Sequence, residues 1–243
     1  MIAPKIAEAV RIAGFAVVPD LIDASTASEL AEAVERSQVS NGTLRRVDAV
    51  YGMRDLLRSV PEVRALAGSK ALLDQVEAIL GPGAFAVRGL WFDKSPGANW
   101  GVPWHQDLTI AVRERVDAPG FGPWTVKGGI PHVRPPVSVL EGMVTVRVHL
   151  DDCGAGRGPL RVVPGSDRSG RLDAEATRAT LNRGPIVDCL VERGGAVLIR
   201  PLLLHSSEAA REPECRRVIH LEYAAGPLPE GLSWFEAVGR NEP

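Results

Sequence analysis

Gly142-Met-Val-Thr-Val-Arg-Val-His-Leu150 alternates strictly. Val144, Val146, Val148 and Leu150 fall on one face of an extended strand, and Thr145, Arg147 and His149 fall on the other. A guanidinium and an imidazole cannot face a dry core cheaply. The polar face is therefore assigned to a wet lumen and the valine face to a helical layer. The last β-rich run repeats the pattern: Ile219, Leu221 and Tyr223 share a face with Arg217, while Val218, His220 and Glu222 share the other with Arg216. By this parity Arg216 points into the lumen.

Outward from this strand, short runs rich in β-formers and bounded by Gly and Pro cover residues 85–92, 160–163, 186–190, 196–199 and 218–223. Such spacing predicts a sandwich or barrel. Residues 1–80 read instead as a helical layer. Thr26-Ala-Ser-Glu29 has capping-box spacing ahead of Leu30, Ala33 and Val34, and Val63, Leu66, Ala67, Leu73, Val76 and Ile79 recur at helical spacing until Gly81-Pro82-Gly83. Residues 113–140, rich in Pro and Gly and carrying Phe121, Trp124 and His132, read as a long lid or binding loop. The expected organisation is one domain over 1–243, a helical layer over 1–80 and a β core over 84–243.

Charge and composition narrow the function. The 243 residues carry a net charge of -2 with no block of like charge, which gives no footing for nucleic acid or an anionic membrane. Cys153, Cys189 and Cys215 form no Cys-x-x-Cys pair and read as reduced thiols of a cytoplasmic protein. No apolar run approaches the ~18 residues of a spanning helix, and the opening MIAPKIAEAVRIAGFAVVPD is broken by charge.

The chemistry is carried by Val102-Pro-Trp-His105-Gln-Asp107 and, about a hundred residues later, Pro201-Leu-Leu-Leu-His205-Ser-Ser207. Residues two apart on a strand share a face, so His105 and Asp107 can offer an imidazole and a carboxylate to one metal, and His205 a second imidazole. Two neutral nitrogens and one anionic oxygen suit Fe(II) and leave positions open for a chelating co-substrate and O₂. Arg216 follows His205 by eleven residues. Its planar fork matches a carboxylate.

With these motifs in order the chain resembles the phytanoyl-CoA dioxygenase family of Fe(II)/2-oxoglutarate enzymes. The resemblance runs from Gly14-Phe-Ala-Val-Val-Pro19 through Leu90-Trp-Phe-Asp-Lys94, Trp104-His-Gln-Asp107 and Gly158-Pro-Leu-Arg-Val-Val-Pro-Gly-Ser166 to Arg216. It implies a double-stranded β-helix, a cupin-like jelly roll, with helices packed outside. It implies that His105, Asp107 and His205 ligate iron, that Arg216 anchors the distal carboxylate of 2-oxoglutarate, and that Gln106 and Ser207 touch the co-substrate. The implied reaction consumes O₂ and 2-oxoglutarate, releases succinate and CO₂, and hydroxylates a small organic molecule. Two departures stand out. Arg147 occupies a position where many relatives have a Trp flanking the co-substrate, and Asp167 replaces a frequent histidine after Pro-Gly-Ser.

A buried guanidinium must find an anion or water. Arg147 therefore meets either a partner in the fold, Glu222 or Asp152, or an anionic group of the substrate or co-substrate. The expectation taken forward is a small substrate with an anionic group under the 113–140 loop, Arg147 as its counter-charge, and His149, His220 and His132 as further contacts. Two rivals remain: a non-catalytic jelly-roll metal or small-molecule sensor, and a metal hydrolase or isomerase.

Overall fold

In a computed structural model, residues 3–38, 44–46, 50–212, 214–229 and 231–240 are described. The first two residues of the opening stretch, and residues 39–43 and 47–49 of the helical layer, lie outside them. The architecture is antiparallel throughout. A seven-stranded sheet runs in the order β1 (Phe15–Val18), β12 (Ala196–Ile199), β9 (Met143–His149), β14 (Arg216–Ala224), β4 (Phe85–Lys94), β3 (Val50–Met53), β2 (Leu44–Arg46). A four-stranded sheet, β11 (Val187–Cys189), β10 (Leu160–Val162), β13 (His205–Ser207), β5 (Val102–His105), accompanies it. Together they are the jelly roll.

The helices pack on the valine face of the large sheet. Val144, Val146 and Val148 of β9, Leu150 just past its end, and Ile219, Leu221 and Tyr223 of β14 form one buried cluster with α1 (Ala3–Ala13), α2 (Ala24–Gln38), α3 (Leu56–Ser59), α4 (Pro61–Ala67) and α5 (Lys70–Leu80). Each large aliphatic side chain so buried contributes about 1.5–3 kcal/mol. The only polar atom Tyr223 brings is its hydroxyl, which donates to the Ala67 carbonyl at 3.0 Å. The opposite faces of the strands are left to enclose the lumen.

Three features depart from the sequence reading. The layer over 1–80 is not purely helical: Phe15–Val18 is extended and pairs with β12, and β2 and β3 extend the other edge. Helix α2 begins at Ala24, and its first turn is capped by Asp23, whose carboxylate accepts from Thr26 N at 2.7 Å, in place of Thr26. The 113–140 segment is not a loop. It holds β7 (Trp124–Lys127), β8 (Ile130–Val133) and α6 (Val137–Glu141), and β8 also pairs with β6 (Ile110–Ala111). Lys127 faces Ile130 across Gly128 and Gly129, both at positive φ (60° and 78°), as a two-residue turn between twisted strands requires. The remaining helix, α7 (Ala174–Arg183), is exposed.

Candidate metal centre and active site

The register of the small sheet makes the centre. β13 pairs with β5 so that His205 lies opposite His105, with ring centroids 4.2 Å apart. Asp107, just past β5, is tied by its backbone N–H to the Pro201 carbonyl at 2.8 Å. Asp107 Oδ1 is 3.8 Å from His105 Nε2, Asp107 Oδ2 is 3.7 Å from His205 Nε2, and the three ligand atoms lie within 4.8 Å of one another.

The tautomers follow from the backbone. His105 Nδ1 is 2.8 Å from the Pro103 carbonyl and His205 Nδ1 is 2.8 Å from the Leu203 carbonyl. A carbonyl only accepts, so each Nδ1 carries a proton and each Nε2 is the ring atom left to ligate a metal. Burial above all drives the His205 imidazole down to about 4, against the pull of Asp107, so it is neutral near pH 7. For Asp107, burial opposes the charge, but His205, His220, His105 and Arg147 together hold its carboxyl at about 2. Its Oδ2 is buried with no hydrogen-bond partner among the described residues. Two imidazole nitrogens and an anionic oxygen left unsatisfied are a donor set that fits Fe(II).

A cavity of about 410 Å³ opens on this triad. At one end stand Arg216, Lys94 and Ser207. Lys94 lies opposite Arg216 in the β4–β14 register. Its Nζ donates to Ser207 Oγ at 2.6 Å and to the Glu208 carbonyl; Ser207 Oγ donates to the Gly158 carbonyl at 2.9 Å, which also accepts from Arg216. Gly158 sits at φ 61°, and a Cβ there would meet the Glu208 carbonyl at 2.4 Å, so this close approach demands glycine. Burial first, then Arg216 and Arg147, push the Lys94 amine down to about 7. Arg217 takes the other face and pairs with Asp151 (2.7 Å) and Glu35 (2.6 Å).

Arg147 faces the cavity, and neither of its expected partners in the fold meets it. Glu222 pairs with Arg88 at 2.9 Å, and Asp152 accepts from the Arg193 backbone N–H. Arg147 instead donates from Nη1 to His220 Nδ1 at 2.9 Å. That bond makes Nδ1 the acceptor and puts the His220 proton on Nε2, 3.5 Å from Glu222 Oε1. Burial and then Arg216 pull the Arg147 guanidinium down to about 10, still charged at neutral pH.

Other expectations need correction. Gln106 points away from the cavity, as its parity between His105 and Asp107 requires. Its amide donates to the Leu202 and Gly170 carbonyls (2.6 and 2.8 Å) and accepts from Leu172 N (2.8 Å), so it ties loops together. His149 does not line the cavity; it is 1% exposed, and burial keeps it neutral. His132 is not in an exposed loop but fully buried on β8, its Nδ1 on the Ile130 carbonyl at 2.9 Å. Lys94, absent from the residues the sequence motifs point to, lines the cavity with Arg88, Leu90 and Phe92, all on one face of β4 by parity.

Fold and centre together are those of a mononuclear non-haem iron dioxygenase that uses 2-oxoglutarate. The chain belongs to the phytanoyl-CoA dioxygenase family, whose sequence profile matches residues 10–218. No curated protein matches it. Among solved structures, EctD from S. alaskensis with bound Fe is similar at a TM-score of 0.74 and 19% identity, over 99% of this chain and 88% of that one. AviO1 from Streptomyces viridochromogenes Tue57 is similar at 0.65 and 24% identity, over 93% and 98%. The epimerase SnoN in complex with Fe3+, alpha ketoglutarate and nogalamycin RO is similar at 0.70 and 18% identity, over 98% and 95%.

Proposed function

We propose that the chain hydroxylates a small, anionic organic molecule, with Fe(II) on His105, Asp107 and His205. The observation that carries this is the unsatisfied Asp107 carboxylate beside the Nε2 atoms of His105 and His205, in a cavity that also holds the cations Lys94, Arg147 and Arg216. Iron and 2-oxoglutarate, when bound, supply the oxidising chemistry: O₂ and the keto acid give succinate and CO₂, and one substrate C–H becomes C–OH. The chain's own residues place the reactants. The Pro103 and Leu203 carbonyls fix the two imidazoles, and Arg216 with Lys94 and Ser207 takes the distal carboxylate of 2-oxoglutarate by charge-assisted hydrogen bonds. Arg147, oriented by His220, lines the same cavity as that anchor and the metal ligands. Its free donors serve both the metal-side carboxylate of the co-substrate and the anionic substrate. Leu90, Phe92 and Leu160 wall the cavity and hold the reacting C–H in place while thinning the water around it. The similar structures were solved with small molecules such as 5-hydroxyectoine and nogalamycin RO, which favours a small-molecule substrate.

Three free cysteines fit a reducing cytoplasm, and among the described residues no helix is long and apolar enough to cross a membrane. The test is anaerobic addition of Fe(II) and 2-oxoglutarate. A visible charge-transfer band, followed by succinate release on admitting O₂, is the expected result. The band should vanish, with the bound iron, in Asp107→Ala and persist in His149→Ala. A band without turnover in the presence of any candidate substrate would favour a sensor, and no band at all would favour a metal hydrolase.

A further inference from the structure

The turn that delivers His205 meets the metal centre through three successive carbonyls. The Pro201 carbonyl accepts from the Asp107 backbone N–H at 2.8 Å, the Leu202 carbonyl from the Gln106 side-chain amide at 2.6 Å, and the Leu203 carbonyl from His205 Nδ1 at 2.8 Å. The next residue closes the turn: Leu204 N donates to Ser166 Oγ at 2.8 Å, and the Leu204 carbonyl accepts from Val163 N at 3.0 Å. Leu202, Leu203 and Leu204 are all buried, so these bonds are made away from water, where a broken one is costly.

Of the three groups that meet those carbonyls, the Asp107 N–H is backbone and His205 is a ligand. The Gln106 amide is neither, and it also reaches the other way. Its nitrogen donates a second bond to the Gly170 carbonyl at 2.8 Å, and its oxygen accepts from Leu172 N at 2.8 Å. Two carbonyls and one N–H around one amide permit a single orientation of it, nitrogen to the carbonyls and oxygen to the N–H. No other neutral side chain of this reach supplies two donors and an acceptor at one end. Leu172 directly precedes Asp173, the N-cap of α7, and no residue of α7 is buried. The 170–172 loop and the 201–204 turn are thus joined through the one residue that separates His105 from Asp107.

We infer that Gln106 is a positioning residue of the metal centre: its amide sets the chain carrying His105 and Asp107 against the turn carrying His205, and fastens the start of α7 to that centre. The inference rests on the assignment of His105, Asp107 and His205 as the iron ligands. Strand pairing does not do this work, because Asp107 lies beyond the last paired residue of β5, His105; the bonds to Pro201 and Leu202 hold it instead. Linkage makes the coupling reciprocal. A side chain that holds the ligands for the metal is itself held more firmly once the metal is bound, and so is the Leu172 N–H that it accepts from.

The test uses the full chain, metal-free and loaded anaerobically with Fe(II) or with Co(II), whose visible bands report its coordination. Gln106→Met removes both donors and the acceptor while keeping the length of the side chain. It should weaken both metals about 10- to 100-fold and change the Co(II) bands. Gln106→Glu keeps the shape but sets a carboxylate against the Leu202 and Gly170 carbonyls. Its added negative charge alone would tighten a divalent cation, so the weaker binding expected of it separates positioning from electrostatics. Amide hydrogen exchange in the wild type gives a reading that needs neither variant to fold. Metal should slow exchange at Leu172, bonded to Gln106, and leave unchanged Ala176, whose N–H is bonded to Asp173 Oδ1 at 2.8 Å. Wild-type metal affinity in Gln106→Met, tighter binding in Gln106→Glu, or no slowing at Leu172 would each overturn the inference and leave the metal centre standing. A wild-type chain that binds neither metal would strike the centre itself, and the inference with it.

Discussion

Lys94→Met removes one of the two cations flanking Ser207 Oγ while keeping an apolar stem of similar length. Lys94 is 1% exposed, and its amine is held at about 7 by burial and by Arg216 and Arg147. A dianionic keto acid prefers the protonated amine, so affinity is greatest below pH 7 and falls as pH rises through the pKa of the free protein. Between pH 7.0 and 8.5 the protonated fraction drops from about one half to about 3%, a loss of about 15-fold in wild-type affinity if the complex keeps its proton. The window begins above Asp93, which burial raises to about 6 and which would otherwise titrate beside Arg216. Losing the charge outright costs about 1.5–3 kcal/mol, roughly 10- to 150-fold in dissociation constant at pH 7.0, with little pH dependence left. Anaerobic titration of the charge-transfer band measures both. The folded protein sheds the Lys94 proton more readily than the unfolded chain, so the charge destabilises the fold most below pH 7 and less toward pH 10. The methionine variant should therefore melt higher than wild type at pH 6.5 while binding the co-substrate more weakly. A flat wild-type profile together with unchanged affinity in the variant would refute the placement of Lys94 in the co-substrate's field.

Two more outcomes are expected. Arg216→Lys should weaken 2-oxoglutarate by about 2–4 kcal/mol, roughly 30- to 1,000-fold, whereas Arg217→Lys should lower the melting temperature through Asp151 and Glu35; a larger loss of co-substrate affinity in the Arg217 variant would reverse the assignment. Glu236, 3% exposed and accepting from Gly89 N at 3.0 Å, is raised to about 7 chiefly by burial, so its stabilising protonated form is complete below the unfolded value near 4.5 and is lost as pH rises through about 7. Glu236→Gln should gain about 3 kcal/mol over wild type at pH 8 and little at pH 4, and a melting-temperature difference that does not change with pH would sink that account.

Period-two alternation survives in a sequence only where one face is dry and the other is not, so β9 and β14 could be oriented without coordinates and the helical layer placed on their valine side. The same parity applied to β4 and to His105-Gln106-Asp107 would have brought Lys94 into the site and taken Gln106 out of it; family position was followed there, and the side-chain direction overrode it. The β7–β8 hairpin was also written in the chain, in Gly128-Gly129 between short β runs, but the surrounding Pro and Gly made the whole segment read as loop. Phe15–Val18 was too short to announce a strand inside a helical stretch, and its pairing with Ala196–Ile199 is a contact across about 180 residues that local pattern does not encode.

What no local pattern could supply is register. Parity places Arg147 and Glu222 on the same lumen face, so the sequence left open whether Arg147 meets Glu222 or Asp152 in the fold or an anionic ligand. The β9–β14 pairing sets His220 opposite Arg147 and Thr145 opposite Glu222, and the β4–β14 pairing then delivers Arg88 to Glu222. One carboxylate is thereby taken out of reach of one guanidinium and given to another two residues along. That shift leaves Arg147 on a neutral imidazole with its charge unspent beside the metal ligands. It also sets the cavity's cations at different levels of the large sheet: Lys94 and Arg216 at the Ser207 end, Arg147 beside His220, and Arg88 held by Glu222.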